Sequence, residues 1–312
     1  MAGAFIAPAV VLADIKLALP IECTLGQDCY IQQYVDHDPS SQYSDYRCNQ
    51  LSYDGHKGTD FAIPTYDAME NGVAVLAAAT GTVVATRDGM ADLIFTQDRS
   101  AEVAGKECGN GLVIRHDNGW ETQYCHLQKD SITVITGQTV QSGDMLGLVG
   151  LSGKTQFPHV HLSVRHNGAV IDPFRPNGRT SCEPPHETLW TNLPQYQAGG
   201  ILQIGFSNAV PSFNDVKNGK AQTPIDQNAP ALVLFVHNFG TRAGDTQHLK
   251  ITGPNGFSYD QTLTFDKSQA MNMRAGGKRI RRGLAPGTYL GHATLVRDGD
   301  IISQSHTAIT IN

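Results

Sequence analysis

The sequence predicts a mostly β protein built in two parts, and three observations carry that expectation. Glycine and proline are frequent, 32 and 15 of 312 residues, while stretches with helical periodicity are scarce, which is the balance of a turn-rich chain. Short alternating runs recur from about residue 72, each closed by a Gly, Asn or Asp turn. A Pro- and Gly-rich stretch over 183–199, in "EPPHETLWTNLPQYQAGG", separates two series of such runs. A chain of 312 residues also suits two domains better than one large core.

Taken in order, residues 1–19 begin with "MAGAFIAPAVVLADIKL", a short apolar core with small residues ending at "VLA" and no Lys or Arg before it. This reads as an export signal or a hydrophobic N-terminal arm. Neither this run nor any later one is long enough to span a bilayer. Residues 20–55 are polar and turn-rich and read as a covering loop tied down by cysteines. "GVAVLAAATGTVVATRDG" gives two strands, and "GNGLVIRHDNGWETQYCHL" gives a hairpin turning at "DNG". Short strands with Gly turns follow in "ITVITGQTVQSGDMLGLVGLSG", and "HVHLSVRHNGAVIDP" gives another strand, an "HNG" turn and a strand end. Beyond the 183–199 linker, residues 200–312 hold short strands at regular spacing, with a hairpin at "RDGD". This pattern predicts a small β-sandwich, immunoglobulin-like in outline.

The formal charge of −6 argues against nucleic acid as a partner. The one basic run, "KRIRR" at 278–282, reads as a solvated strand edge. Six cysteines without a CxxC pair argue for three disulfides and an oxidising compartment rather than a structural zinc knuckle. Cys108 and Cys125 flank the hairpin and are the expected pair; Cys29 with Cys48 and Cys23 with Cys182 complete the expected set.

Successive side chains on a strand alternate faces, so His159 and His161 of "PHVHLSV" project side by side while Val160 points into a core. Upstream, "GHKGTDF" holds His56 and Asp60, a nitrogen and an oxygen donor that one tight turn can bring to a point. A catalytic zinc takes three such protein ligands and keeps a fourth position open. His56, Asp60 and one of the two strand histidines make up that number. "YCHL" adds His126 on the far strand of the hairpin, where alternation predicts that Cys125 faces away from it.

In this order and over roughly residues 50–175, "HKGTDF", "YCHL" and "PHVHLSV" resemble the lysostaphin/LytM-type zinc endopeptidases of bacterial cell walls. The resemblance implies an antiparallel β-sheet whose face forms an open groove. It implies one zinc ion bound by His56, Asp60 and His161, with His126 and His159 as the catalytic pair. His159 would act as general base and His126 would donate a hydrogen bond to the tetrahedral centre, or the two would share these roles. The expected substrate is a peptide cross-link of peptidoglycan, the expected location the periplasm or the exterior, and the peptidase domain 20–182.

Three other readings stand beside this one: a secreted protease acting on Gly-rich proteins, a non-catalytic wall-binding or activator protein on the same scaffold, and a carboxypeptidase of a related zinc type. The complete ligand set weighs against the second and the short HxxxD spacing against the third. The remaining candidates have plainer readings. His116 reads as an exposed turn residue, His166 and His186 as loop residues, and His237, His248, His292 and His306 as strand surface. The cluster Asp36, His37 and Asp38 reads as a surface loop, with an inhibitory fourth ligand as its alternative. Tyr53 and Tyr124 read as packing residues, and "SGKT" fails the phosphate-loop spacing because position 148 is Leu.

Overall fold

The strand carrying "HVHLSV" lies in the middle of a large antiparallel sheet. The structure is a computed structural model describing residues 15–312; the leader reading for residues 1–14 falls outside the described residues. The first half contains β1 (Tyr30–Gln33), β2 (Thr59–Ala62), β3 (Ala74–Leu76), β4 (Gly81–Arg87), β5 (Asn110–Arg115), β6 (Trp120–Leu127), β7 (Thr139–Val140), β8 (Met145–Leu148), β9 (His159–His166) and β10 (Ala169–Ile171). The main sheet has the order β1-β2-β9-β6-β5-β4-β7, with β10 also paired to β9, while β3 and β8 form a separate ribbon. One face of the sheet is apolar: Val160, Leu162 and Val164 of β9 pack with Phe61 of β2 and Tyr124 of β6 in a single buried cluster. Period-2 alternation therefore leaves the odd-numbered positions of β9, including His159 and His161, on the other face.

The second half contains β11 (Gly200–Ser207), β12 (Ala231–Thr241), β13 (Thr246–Thr252), β14 (Ser258–Thr264), β15 (Gln269–Arg279), β16 (Gly287–Arg297) and β17 (Asp300–Ile311). They form two antiparallel sheets, β11-β12-β15 and β14-β13-β16-β17. Leu232, Leu234 and Val236 of the first share an apolar cluster with Leu249, Ile251, Tyr289 and Ala293 of the second. The "RDGD" hairpin closes with Arg297 opposite Asp300, and both turn residues, Asp298 and Gly299, have positive φ, as the twist of a two-residue hairpin requires. The basic run 278–282 begins at the end of β15, an edge strand, with its cationic residues exposed.

Several expectations are corrected. The covering segment 20–55 is not all loop: "YIQQ" forms β1, the edge strand of the main sheet, paired to β2. Its disulfides are Cys23–Cys29 and Cys48–Cys182, not Cys29–Cys48 and Cys23–Cys182. The six-residue loop closes on itself because Gly26 N–H reaches the Cys29 carbonyl. Cys48, on a turn at φ 60°, is left to meet the segment after β10. That second bridge closes a 134-residue loop, a constraint on the unfolded chain worth about 5 kcal/mol in the entropic account. Cys108–Cys125 forms as expected. His116 is buried rather than exposed, because its ring bridges the Thr80 carbonyl and the Thr122 hydroxyl at 2.7 and 2.8 Å.

His237 is also buried, not surface, since β12 is the central strand of its sheet and covered on both sides. The continuous run "ALVLFV" carries that signal. The halves meet closely. Phe239 of β12 belongs to the first core, with its ring 4.6 Å from that of Tyr30, and Leu189 and Trp190 from the linker segment lie in the same core.

Among the described residues His237 has no hydrogen-bond partner on either ring nitrogen, and burial, followed by the nearby Lys217 ammonium, depresses its pKa from 6.5 to about 4. The unfolded chain therefore binds this proton between pH 6.5 and 4 while the folded chain does not, so stability falls as pH drops through that window. A His237→Leu variant should lack this loss. Urea unfolding at pH 7 and pH 4.5 should show wild type losing on the order of 2–3 kcal/mol more than the variant; equal losses would count against a neutral buried imidazole.

Candidate metal centre

Register places the donor atoms. On the β2–β9 pair Asp60 stands directly opposite His161 and Ala62 opposite His159, so the carboxylate and both imidazoles share the face away from the core. His56 arrives from the turn preceding β2. Three of its atoms' neighbours define a cluster: His56 Nε2 to Asp60 Oδ1 is 3.2 Å, His56 Nε2 to His161 Nδ1 is 3.2 Å, and His161 Nδ1 to Asp60 Oδ1 is 2.8 Å. His159 Nε2 lies 3.5 Å from the same carboxylate oxygen. The intervening glycine of "HKGTD" is required by this approach, since a Cβ on Gly58 would stand 2.5 Å from His161 Nε2 and 2.7 Å from the Leu162 carbonyl.

Hydrogen bonds on the outer side of each ring fix the tautomers. His56 Nδ1 donates to the Tyr34 carbonyl at 2.7 Å, His126 Nδ1 to the Ser152 carbonyl at 2.8 Å and His159 Nδ1 to the Phe157 carbonyl at 2.9 Å. A carbonyl only accepts, so each Nδ1 carries the proton and each neutral ring has its lone pair on Nε2. His161 is reversed. Ser163 Oγ donates to the Lys57 carbonyl at 2.8 Å and accepts from His161 Nε2–H at 3.1 Å, which leaves the lone pair on Nδ1, facing Asp60.

Two imidazole lone pairs and a carboxylate oxygen thus crowd one point with no proton of their own between them. Such a donor set fits a divalent cation of zinc type, whose tetrahedral N and O ligands stand about 3.3 Å apart at metal–ligand distances of about 2.0–2.1 Å. His56, Asp60 and His161 are the residues that could hold it. Without the ion a proton can take its place: burial pushes the Asp60 carboxyl up, but protonated imidazoles around it outweigh this and hold its pKa well below the ordinary value, while burial lowers His56 and the Asp60 charge raises it to a net rise. Burial lowers His126 and His159, and in His126 the neighbouring rings add to the effect.

His126 reaches this face by a device that alternation alone does not reveal. Cys125 stands opposite His161 and so shares its face, contrary to the expectation that it faces away. Strict alternation would then turn His126 into the core. Instead Cys125 and His126 together oppose Gly111 of β5, forming a β-bulge, and His126 takes φ 66°. The bulge turns the ring back, with its centroid 4.6 Å from that of His159 and 6.0 Å from that of His161. The left-handed backbone is held by His126 N–H to the Cys108 carbonyl at 2.8 Å and by the Cys108–Cys125 disulfide beside it.

Other candidates lie elsewhere. His37 is paired with Asp172 at 2.6 Å, and Asp36 accepts from the backbone of Asp38, Ser44 and Gly55, so neither joins the cluster. Tyr124 is buried, with its hydroxyl accepting from Ala78 N–H, whereas Tyr53 is half exposed and packs its ring 4.4 Å from that of His56. Strand β1, absent from the sequence reading, supports the site, since the Tyr34 carbonyl that orients His56 follows directly from it.

Residues 54–173 match peptidase family M23. The match falls wholly before the 183–199 linker. It encloses all five residues of the cluster. Over 122 residues, 39% of its length, the chain is 33% identical to a peptidoglycan DD-endopeptidase, ShyA, of Vibrio cholerae. Over 65 residues, 21% of its length, it is 40% identical to the DD-carboxypeptidase/endopeptidase Mpg of Neisseria meningitidis. The matches cover 23% and 14% of those relatives' own lengths. Among solved structures, a zinc-containing peptidase from Vibrio cholerae is 25% identical, with a TM-score of 0.29 over 47% of this chain and 39% of that one.

The geometry makes specific demands on metal binding. Purified protein should carry about one zinc, and His161→Ala should carry none. Ser163→Ala should keep the ion but bind it about tenfold or more weakly, because the outer hydrogen bond that sets the His161 tautomer is gone. Gly58→Ala should lose zinc through its collision with His161. Metal analysis with competitive chelator titration reads all three, and full zinc affinity in Gly58→Ala would contradict the packing described.

Proposed function

We propose that the chain is a zinc-dependent endopeptidase that hydrolyses peptide cross-links of bacterial peptidoglycan. The observation that carries this reading is the placement of two further neutral imidazoles, His126 and His159, beside a three-residue ligand set on one sheet face. The names of the curated relatives, which describe endopeptidases of peptidoglycan, support the substrate class.

Zinc, when bound by His56, Asp60 and His161, supplies Lewis acidity for water and for the scissile carbonyl. The chain's own residues then move the protons. Both His126 and His159 enter with an unprotonated Nε2, because burial favours the neutral ring and its one proton is committed to a carbonyl through Nδ1. Either can take the proton of the attacking water as its oxygen bonds to the carbonyl carbon. The imidazolium so formed becomes a donor, first to the tetrahedral centre and then to the leaving amine nitrogen as the C–N bond breaks. In this scheme the two histidines share the roles of base and donor, and the backbone carbonyls of Ser152 and Phe157 stabilise whichever ring is charged.

The reading includes residues 20–182 as the catalytic domain and residues 200–312 as a sandwich that positions it on the polymer. It also places the protein in the periplasm or outside the cell, which the three disulfides favour.

His126→Ala and His159→Ala should each retain about one zinc yet lose at least ~100-fold in turnover of purified sacculi, the scale of a lost proton-transfer group. Comparison with a Gly-rich protein substrate separates wall hydrolysis from general proteolysis. Unchanged turnover in both variants would sink the mechanism, and zinc loss in either would move that residue into the ligand set.

A further inference from the structure

A cleft of about 260 Å³ lies between the two halves of the chain, beside the candidate metal centre. Its near wall is Tyr53, which packs on the ligand His56, and Gln33, which stands opposite the ligand Asp60 on the β1–β2 pair. Its far wall belongs to the second half: Gly240–Arg242 at the end of β12 and Ser268–Ala270 at the start of β15.

Two features of this cleft are unexplained by the fold. Gln32 and Gln33 both line it, and each has a buried side-chain amide oxygen without a hydrogen-bond partner among the described residues. Arg242 lines it as a half-buried guanidinium whose only side-chain hydrogen bond among the described residues is to the amide oxygen of Asn49, at 2.8 Å. Asp245 and Asp45 stand close enough to favour that cation, but neither bonds its guanidinium: both Asp245 oxygens are engaged by the Arg297 side chain, at 2.9 and 2.7 Å, and Asp45 Oδ2 accepts from the Tyr196 hydroxyl. Burial and the nearby Arg297 charge outweigh those carboxylates and lower the Arg242 pKa, so a further anion beside the guanidinium would stabilise it.

We propose that this cleft is a substrate subsite in which Arg242 binds a carboxylate of the peptide whose scissile bond lies at the metal centre. A guanidinium fork matches a carboxylate in charge and geometry, and four of the five N–H donors of Arg242 are not used within the described residues. The second half of the chain is then part of the recognition surface rather than only a tether. This inference rests on the peptidase reading for the identity of the peptide, but not for the cleft's preference for a carboxylate.

The test uses the full zinc-loaded chain and one cross-linked muropeptide in two forms, with its carboxylates free or all converted to amides. Binding is read by calorimetry and turnover by product analysis. Wild type should bind the free acid about tenfold more tightly than the amide, with the difference in KM rather than kcat. Arg242→Gln should erase that preference, Arg242→Lys should restore part of it, and Asn49→Ala, which removes the internal contact but not the charge, should retain it. A wild type without preference, or an Arg242→Gln variant that keeps it, overturns the proposal. If Arg242→Gln fails to fold, the wild-type comparison and Asn49→Ala still decide. Arg242-dependent binding without hydrolysis would keep the cleft and sink the peptidase reading; hydrolysis of both forms with equal KM would do the reverse.

Discussion

The site depends on hydrogen bonds that point away from it. Four imidazoles converge on one sheet face, and each donates its single proton outward, to the carbonyls of Tyr34, Ser152 and Phe157 or to the Ser163 hydroxyl. Outward donation is what leaves four lone pairs directed at a common region. Were any of these partners lost, the ring could turn its N–H inward and present a donor where a cation or a water proton must be received. The arrangement concentrates acceptors at a cost in electrostatic repulsion that a shared cation offsets.

Backbone features keep that arrangement in place. Gly58 lets the turn carrying His56 close over His161, where any Cβ would collide. The bulge opposite Gly111 spends one ladder position to rotate His126 onto the working face, and a Cβ at Gly111 would meet the Tyr124 carbonyl. The Cys108–Cys125 bridge sits beside the bulge and ties the 104–109 loop to β6 at the residue preceding His126. Reduction would remove that tie without touching the ligand set, so disulfide formation and the proton-transfer group are coupled through geometry.

Much of this was legible in the sequence because it follows from periodicity. His159 and His161 share a face by alternation, and the His56–Asp60 spacing marks a turn that can present two donors. The hairpin at "DNG" and the "RDGD" turn announce themselves by residue type. What was not legible depends on contacts remote in sequence. Alternation extrapolated through Cys125 and His126 failed because a bulge shifts the phase by one residue. β1 was hidden by its polar glutamines, which face the second half of the chain rather than solvent. His116 and His237 are polar residues whose burial is set by neighbours more than thirty positions away or by a second sheet, and the disulfide partners of Cys23 and Cys48 depended on which loop closed locally. Arg242 carries no local signal at all, since its interest lies in what stands across the cleft from it.

Because the account rests on which nitrogen of each ring carries the proton, the decisive measurement is long-range 1H–15N correlation of the histidine side chains in the zinc-loaded protein at neutral pH. The account predicts protons on Nδ1 of His56, His126 and His159 and on Nε2 of His161, with the metal-shifted nitrogens being Nε2 of His56 and Nδ1 of His161. A proton on Nε2 of His56 or on Nδ1 of His161, or metal-shifted nitrogens on His126 or His159, would contradict it.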